Sequence, residues 1–337
     1  MQKIKRVLAL CLALFLLAGC QINQQPPKTT TEPQNIQSAE EEKVLKILNI
    51  GNSHGQDSVW LLPMVLKAEL PDQEFLVGEL YQAYALTEHI ESAKNTANDY
   101  VYYTSTGDAW NRSEGVSIKM ALADQRWDII MFNESSRHLG LESKMSQGMV
   151  DWFRSFILDS LDYEPTLLYN MTWASPTDER FYTDTTRQKA PATFRNTYTS
   201  HYGFDHVNHY NKLVELTKKY LVNHEGFDKI IYNAKTVQYA GEVLGVPQYD
   251  SEQKMDLYRD YTHISDFARL MVAYNWYCQM FDIDQLTEVK IDVIPKNLRA
   301  TYRQQNLGDE AITDAHKAII MESINETLKD PFTIPAK

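Results

Sequence analysis

Short apolar runs alternate along this chain with longer stretches in which apolar residues recur every three or four positions. Val44 to Ile50 (VLKILNI), Glu74 to Leu80 (EFLVGEL), Trp127 to Phe132 (WDIIMF), Thr166 to Tyr169 (TLLY) and Lys229 to Tyr232 (KIIY) are almost continuously hydrophobic and carry β-branched residues. Such runs predict five strands of a parallel sheet covered on both faces. Between them the spacing predicts helices over Ser58 to Leu70, Glu88 to Ala97, Val116 to Asp124, Lys144 to Leu161 and Asp205 to Val222. Pro63 should kink the first of these or follow an opening turn. Further on, Ile264, Phe267, Met271, Tyr274, Cys278 and Phe281 fall on one helical face, and Ile312, Ala315, Ile319 and Ile324 mark a last helix over Asp309 to Leu328. Strand–helix alternation of this kind predicts a three-layer α/β/α sandwich around a central, mostly parallel five-stranded sheet. In such sheets the active site lies beyond the carboxyl ends of the strands.

The amino end breaks this pattern. A basic cluster (Lys3, Lys5, Arg6) precedes an apolar run from Val7 to Ala18, too short for a lasting transmembrane helix but laid out as an export signal. The run ends in Leu17-Ala18-Gly19-Cys20, which resembles the lipobox of bacterial lipoproteins. The resemblance implies loss of residues 1–19 and acylation of Cys20, so that the exported protein is held at the cell membrane or envelope. An ordinary signal peptide with an incidental Cys20 is the plainer reading. Residues 20–43 are polar and proline-bearing and read as a flexible tether. Residues 44–337, about 290 in all, suffice for one large α/β domain.

Setting the leader aside changes the charge and cysteine arithmetic. The formal net charge of −12 becomes −15 without the three leader cations. So acidic a chain is not expected to bind nucleic acid, or an anionic lipid surface through its body, and neutral substrates fit better. Only Cys278 remains in the folded part, which excludes an internal disulfide or a cysteine metal cluster and reads as a small buried hydrophobe.

Two segments carry chemistry. Gly51-Asn52-Ser53-His54-Gly55 follows the first predicted strand and places a serine on a tight turn at the sheet edge. There its hydroxyl would be exposed and its own N–H would point at a bound acyl oxygen, although the same residues could simply turn the chain and cap a helix. Arg259-Asp260-Tyr261-Thr262-His263-Ile264-Ser265 precedes the late helix. An Asp and a His three apart can project to one side, the carboxylate fixing the imidazole tautomer so that the other ring nitrogen takes a proton from serine. A helix-capping Asp260 and a half-buried core His263 are the alternatives.

Together these segments resemble the SGNH hydrolases, or GDSL-like esterases, and within them an uncharacterised bacterial branch that opens with G-N-S and closes with a D-G-T-H-L-S-like segment. The resemblance spans residues 44 to about 330, with MTWASP (171–176) and NAKTVQYA (233–240) as further landmarks. It implies Ser53 as nucleophile, His263 as general base and then acid, Asp260 as its orienting partner, and no cofactor. It also implies an oxyanion hole built from the serine N–H, a backbone N–H of the second block and an asparagine side chain of the third. Ala83 stands where related chains carry glycine, and Asn133 in Phe132-Asn133-Glu134 is the side-chain candidate, unless it only satisfies loop backbone. Glu134 would pair with Arg137 or order the loop. His54 is expected to touch substrate or lie at the surface, and Trp173 to form a pocket wall or belong to the core. His54, Asp57 and His263 show no metal-ligand spacing.

From Phe181 to Tyr210 the chain is rich in Tyr, Phe, His and Thr, which suits a lid or surface receiving a sugar-like neutral ligand, or an ordered excursion packed on the sheet edge. The expected activity is an extracytoplasmic esterase or deacetylase acting on small-molecule or glycan esters, acetylated carbohydrates above all. A glycan-binding lipoprotein that has lost catalysis and an O-acyltransferase using the same triad are the alternatives.

Overall fold

A computed structural model describes residues 44–135, 141, 143–183, 191–222, 226–250, 255–300 and 308–335. Its centre is a seven-stranded sheet in the order β4-β3-β2-β1-β5-β6-β7. The strands are β1 (Leu45–Gly51), β2 (Phe75–Tyr81), β3 (Tyr100–Ser105), β4 (Asn111–Val116), β5 (Ile129–Phe132), β6 (Thr166–Asn170) and β7 (Lys229–Ile231). The five predicted runs form β1, β2, β5, β6 and β7, all parallel to their neighbours among these five. The expected five-stranded sheet is corrected by β3 and β4, which add antiparallel to the edge at β2. Both lack the apolar signature of a covered strand. β3 (YVYYTS) mixes aromatic and polar residues, and β4 (NRSEGV) is exposed at all but its last position, as an edge strand facing water can be.

Successive residues of the parallel strands point to opposite faces, and each face has its own core. Ile47, Val77, Met131, Leu168 and Ile231 pack with α1 (Ser53–Val59), α2 (Leu62–Glu69), α10 (Asp266–Met280) and α11 (Asp314–Lys329). Leu48, Leu80, Ile130, Leu167 and Ile230 pack on the other side with α3 (Leu86–Asn95), α4 (Ile118–Asp124), α5 (Gln147–Asp159) and α8 (His206–Thr217). The expected α/β/α layering is therefore present, with helices flanking both faces. The long helix anticipated from Ser58 divides into α1 and α2, and Pro63 sits in the first turn of α2, where its missing N–H costs nothing. The late helix α10 is not one-faced: every residue from Asp266 to Cys278 is buried, with Asp266 and Arg269 paired to each other at 2.8 Å. Cys278 is a free, buried thiol whose pKa burial pushes up to about 12.

The aromatic stretch from Phe181 folds as short helices: α6 (Arg180–Thr183), α7 (Ala192–Tyr202) and the start of α8, with α9 (Asn233–Glu242) following β7. Phe181, Tyr182, Tyr198, Tyr202, His209 and Tyr210 are buried, so the ordered excursion, not an open loop, describes the residues on either side of 184–190. Among the described residues no helix is long and apolar enough to cross a membrane.

Candidate active site

The order of the sheet reverses at β1, which has β2 on one side and β5 on the other. A crevice opens at the carboxyl end of such a switch point. Three loops meet there, after β1, β2 and β5, and one side chain ties them together. Asn52 caps α1 by accepting the His54 N–H on Oδ1 (3.1 Å). The same oxygen accepts from Asn133 Nδ2 after β5 (3.0 Å), while Asn52 Nδ2 donates to the Tyr84 carbonyl after β2 (3.0 Å). Ser53 is therefore the first residue of a helix whose start is fixed by three hydrogen bonds. The flanking glycines are explained by close approach. A Cβ on Gly51 or Gly55 would lie 2.3 or 2.4 Å from Asn133 Oδ1, distances no side chain can occupy.

The second segment arrives from the loop before α10. Asp260 Oδ1 accepts the N–H groups of Thr262 (2.9 Å) and His263 (2.8 Å), closing a tight turn. His263 Nδ1 lies 2.8 Å from Oδ2 and 3.0 Å from Oδ1 of the same carboxylate. Asp260 thus both shapes the turn and orients the imidazole. Burial opposes its ionisation, but the His263 ring and the Arg259 guanidinium outweigh burial and hold the carboxyl at about 2. His263 Nε2 is buried and has no hydrogen-bond partner among the described residues.

An ion pair bolts the two segments together. Asp57, one turn after Ser53, is 2.8 Å from the Arg259 guanidinium and 3.4 Å from that of Arg269. Arg269 and Arg299 share Asp266 at 2.8 and 3.0 Å, and Arg299 reaches Glu310 at 2.7 Å. Asp57, Asp266 and Arg269 are buried, where charges persist only when paired.

Ser53 and His263 line one cavity of about 470 Å³, with Asn52, Ala83, Ser135 and Thr262 on the loop side and α7 opposite. The protein chain from residue 46 to residue 300 matches the family model described as "Domain of unknown function (DUF4886)". This chain belongs to the DUF4886 family. A crystal structure of a DUF4886 family protein from Bacteroides uniformis shares the fold at 21% identity and a TM-score of 0.66, over 87% of this chain and 98% of that one. A candidate SGNH hydrolase from Slackia heliotrinireducens aligns over 71% of this chain and all of its own, with 16% identity and a TM-score of 0.43. No curated protein matches.

In this DUF4886 chain the remaining site residues stand apart from their expected places. Asn133 is buried and its Nδ2 is spent on Asn52 and on the Glu134 carbonyl (2.9 Å), so it braces the loops and does not line the cavity. Ala83 lines the cavity, but its N–H donates to Gln82 Oε1 at 2.9 Å. His54 is fully buried, not at the surface, and lies outside the cavity lining: it stacks on Trp173 at 4.6 Å and contacts Thr172 Oγ1 and Thr262 Oγ1 at 3.3 and 3.0 Å. Burial, with His263 nearby, lowers its pKa well below the usual value, so it is a neutral support beneath the Thr262–His263 turn. Trp173 is a core residue whose Nε1 donates to the Thr262 carbonyl at 3.0 Å, and it lies outside the cavity lining. Glu134 orders its loop by accepting the N–H groups of Leu86 and Ser135; Arg137 lies outside the described residues. Among the described residues no group of three or more His, Cys, Asp or Glu could hold a metal ion. The sequence reading did not find the Asn52 hub as a link between loops, nor the Asp57–Arg259 bolt. An Asn at a helix cap was visible; its partners, 32 and 81 residues away, were not.

Proposed function

We propose that this protein is a serine hydrolase of the SGNH type that cleaves neutral carboxylic esters, with Ser53, His263 and Asp260 as its catalytic residues. The observation that carries the reading is the unpartnered His263 Nε2, held by the Asp260 carboxylate in a cavity it shares with Ser53. Ser53 and His263 are not hydrogen-bonded through Nε2, and such bonds commonly tighten only with substrate. In the proposed cycle His263 Nε2 takes the Ser53 proton as Oγ bonds to the acyl carbon. The proton then passes to the departing alcohol, and water, deprotonated by the same nitrogen, releases the acid and restores Ser53. The N–H of Ser53, at the start of α1, has no intrahelical partner and would serve the oxyanion; a second donor requires Gln82 to give up the Ala83 N–H.

Carbohydrates remain the alcohol class suggested by the acidic chain, whose charge favours neutral polyols over anions. The engaged Ala83 N–H favours one rival, a glycan-binding protein that has lost turnover. Hydrolysis of p-nitrophenyl acetate by the wild type and Ser53→Ala separates the two: a loss of about 10³-fold or more supports the enzyme, and equal rates support the binder. We also propose export and anchoring through acylated Cys20; incorporation of labelled palmitate should disappear in Cys20→Ala.

A further inference from the structure

The substrate's acyl group can be read from the wall facing Ser53 and His263. One side of α7 presents Phe194, Tyr198 and Tyr202, spaced four residues apart so that they stack along the helix. The Phe194 ring meets Tyr261 edge-on at 4.9 Å, which joins α7 to the loop carrying His263. Tyr198 directs its hydroxyl away from a ligand: it lies 2.7 Å from the Ser175 carbonyl and 2.8 Å from His209 Nδ1. Tyr202 stacks on the same histidine at 4.2 Å. What α7 turns toward the cavity is therefore ring surface flanked by the Thr193 and Thr197 side chains. Among its described lining residues none carries a charge except His263 when protonated, and the one amide, Asn52, is committed to the loops.

Resting on the hydrolase reading above, we infer that this cavity holds an uncharged apolar acyl group larger than acetyl, an alkanoyl chain of medium length. Three observations support the assignment. A sugar ring would bring several hydroxyls to satisfy, and the described lining meets them with Ser, Thr and Tyr hydroxyls but with no carboxylate and no uncommitted amide. A volume of about 470 Å³ is in the range that receives sizeable ligands and is several times what an acetyl group fills. Finally, the acyl group is the part that stays bonded to Ser53 Oγ while water is awaited, whereas the alcohol leaves after the first step. An aromatic wall beside the nucleophile therefore acts longest on the acyl chain.

The test is kcat/KM for p-nitrophenyl esters from acetate to decanoate on the full-length protein, with fluorophosphonate labelling of Ser53 as a check that the site is assembled. A rise of about fourfold per methylene from acetyl to hexanoyl, followed by a fall once the chain outgrows the cavity, is expected. Phe194→Ala should flatten that rise, reducing hexanoate turnover about tenfold more than acetate turnover while Ser53 still labels. A flat or falling series on a protein that labels at Ser53 overturns the acyl assignment and leaves the hydrolase reading standing. A rise confined to acetates of longer alcohols moves the apolar group to the leaving side and also overturns it. Absence of both turnover and labelling sinks the hydrolase reading itself.

Discussion

At Asp260 the same oxygen that accepts two backbone N–H groups also touches the His263 ring, so one carboxylate sets both the turn and the orientation of the imidazole. Asp260→Asn keeps the turn acceptor but offers an amide to the ring, and should lower kcat by about 10⁴-fold. The folded-state pKa of about 2 lies below the ordinary carboxylate value. Ionised Asp260 therefore contributes about 2 kcal/mol above roughly pH 4, and that contribution is lost as the pH falls toward 2. Urea unfolding of wild type and Asp260→Asn should differ at pH 7 and converge at pH 2. Glu79 presents the opposite sign. It is fully buried on β2, 2.6 Å from Asn49 Nδ2, and burial, with Asp57 adding repulsion, raises its pKa well above the usual value. The fold then binds more protons than the unfolded chain and loses stability as the pH rises from about 4.5 through that raised value. Glu79→Gln should raise Tm at pH 7 by roughly 2–4 °C, a gain that vanishes below about pH 4.

The Asp260–His263 turn and helix α1 are separate elements joined through the Asp57–Arg259 ion pair. Asp57→Ala would leave Arg259 and Arg269 without their shared carboxylate beneath the site, and should cost about 3–5 kcal/mol in chemical denaturation. Gly55→Ala forces a methyl to within 2.4 Å of Asn133 Oδ1 and 2.6 Å of Asn49 Nδ2, so the loop after β5 must shift; a loss of about 1–3 kcal/mol is expected. Elements with one dominant signal were legible from the sequence. The covered strands announced themselves by continuous hydrophobicity, and the contact of Asp260 with the His263 ring by their spacing. β3 and β4 were not legible, because an edge ladder is held by backbone hydrogen bonds that leave side chains free to be polar. Of the two roles open to Asn133, oxyanion donor or loop brace, the hydrogen bonds of Nδ2 fit the brace, and its partner Asn52 lies 81 positions away in sequence.

On the scale of the molecule, the sheet brings residue 53 and residue 263 to a single cavity although 210 positions separate them, and strand order alone explains where. Alternating strand and helix patterns were enough to predict that rim; they could not predict its furnishing. Buried His54 shows why: no local signal distinguishes a surface histidine from one stacked on Trp173 beside the Thr262–His263 turn. The aromatic wall of α7 was visible only as composition, and its packing on Tyr261 depends on the tertiary fold.

The central claim is that Ser53 is a nucleophile activated by His263. Labelling with a fluorophosphonate and locating the adduct by mass spectrometry tests it directly. A single adduct on Ser53 is expected, absent in Ser53→Ala and slowed at least a hundredfold in His263→Ala. An unmodified Ser53 in folded protein, or labelling that proceeds equally fast without His263, would contradict it.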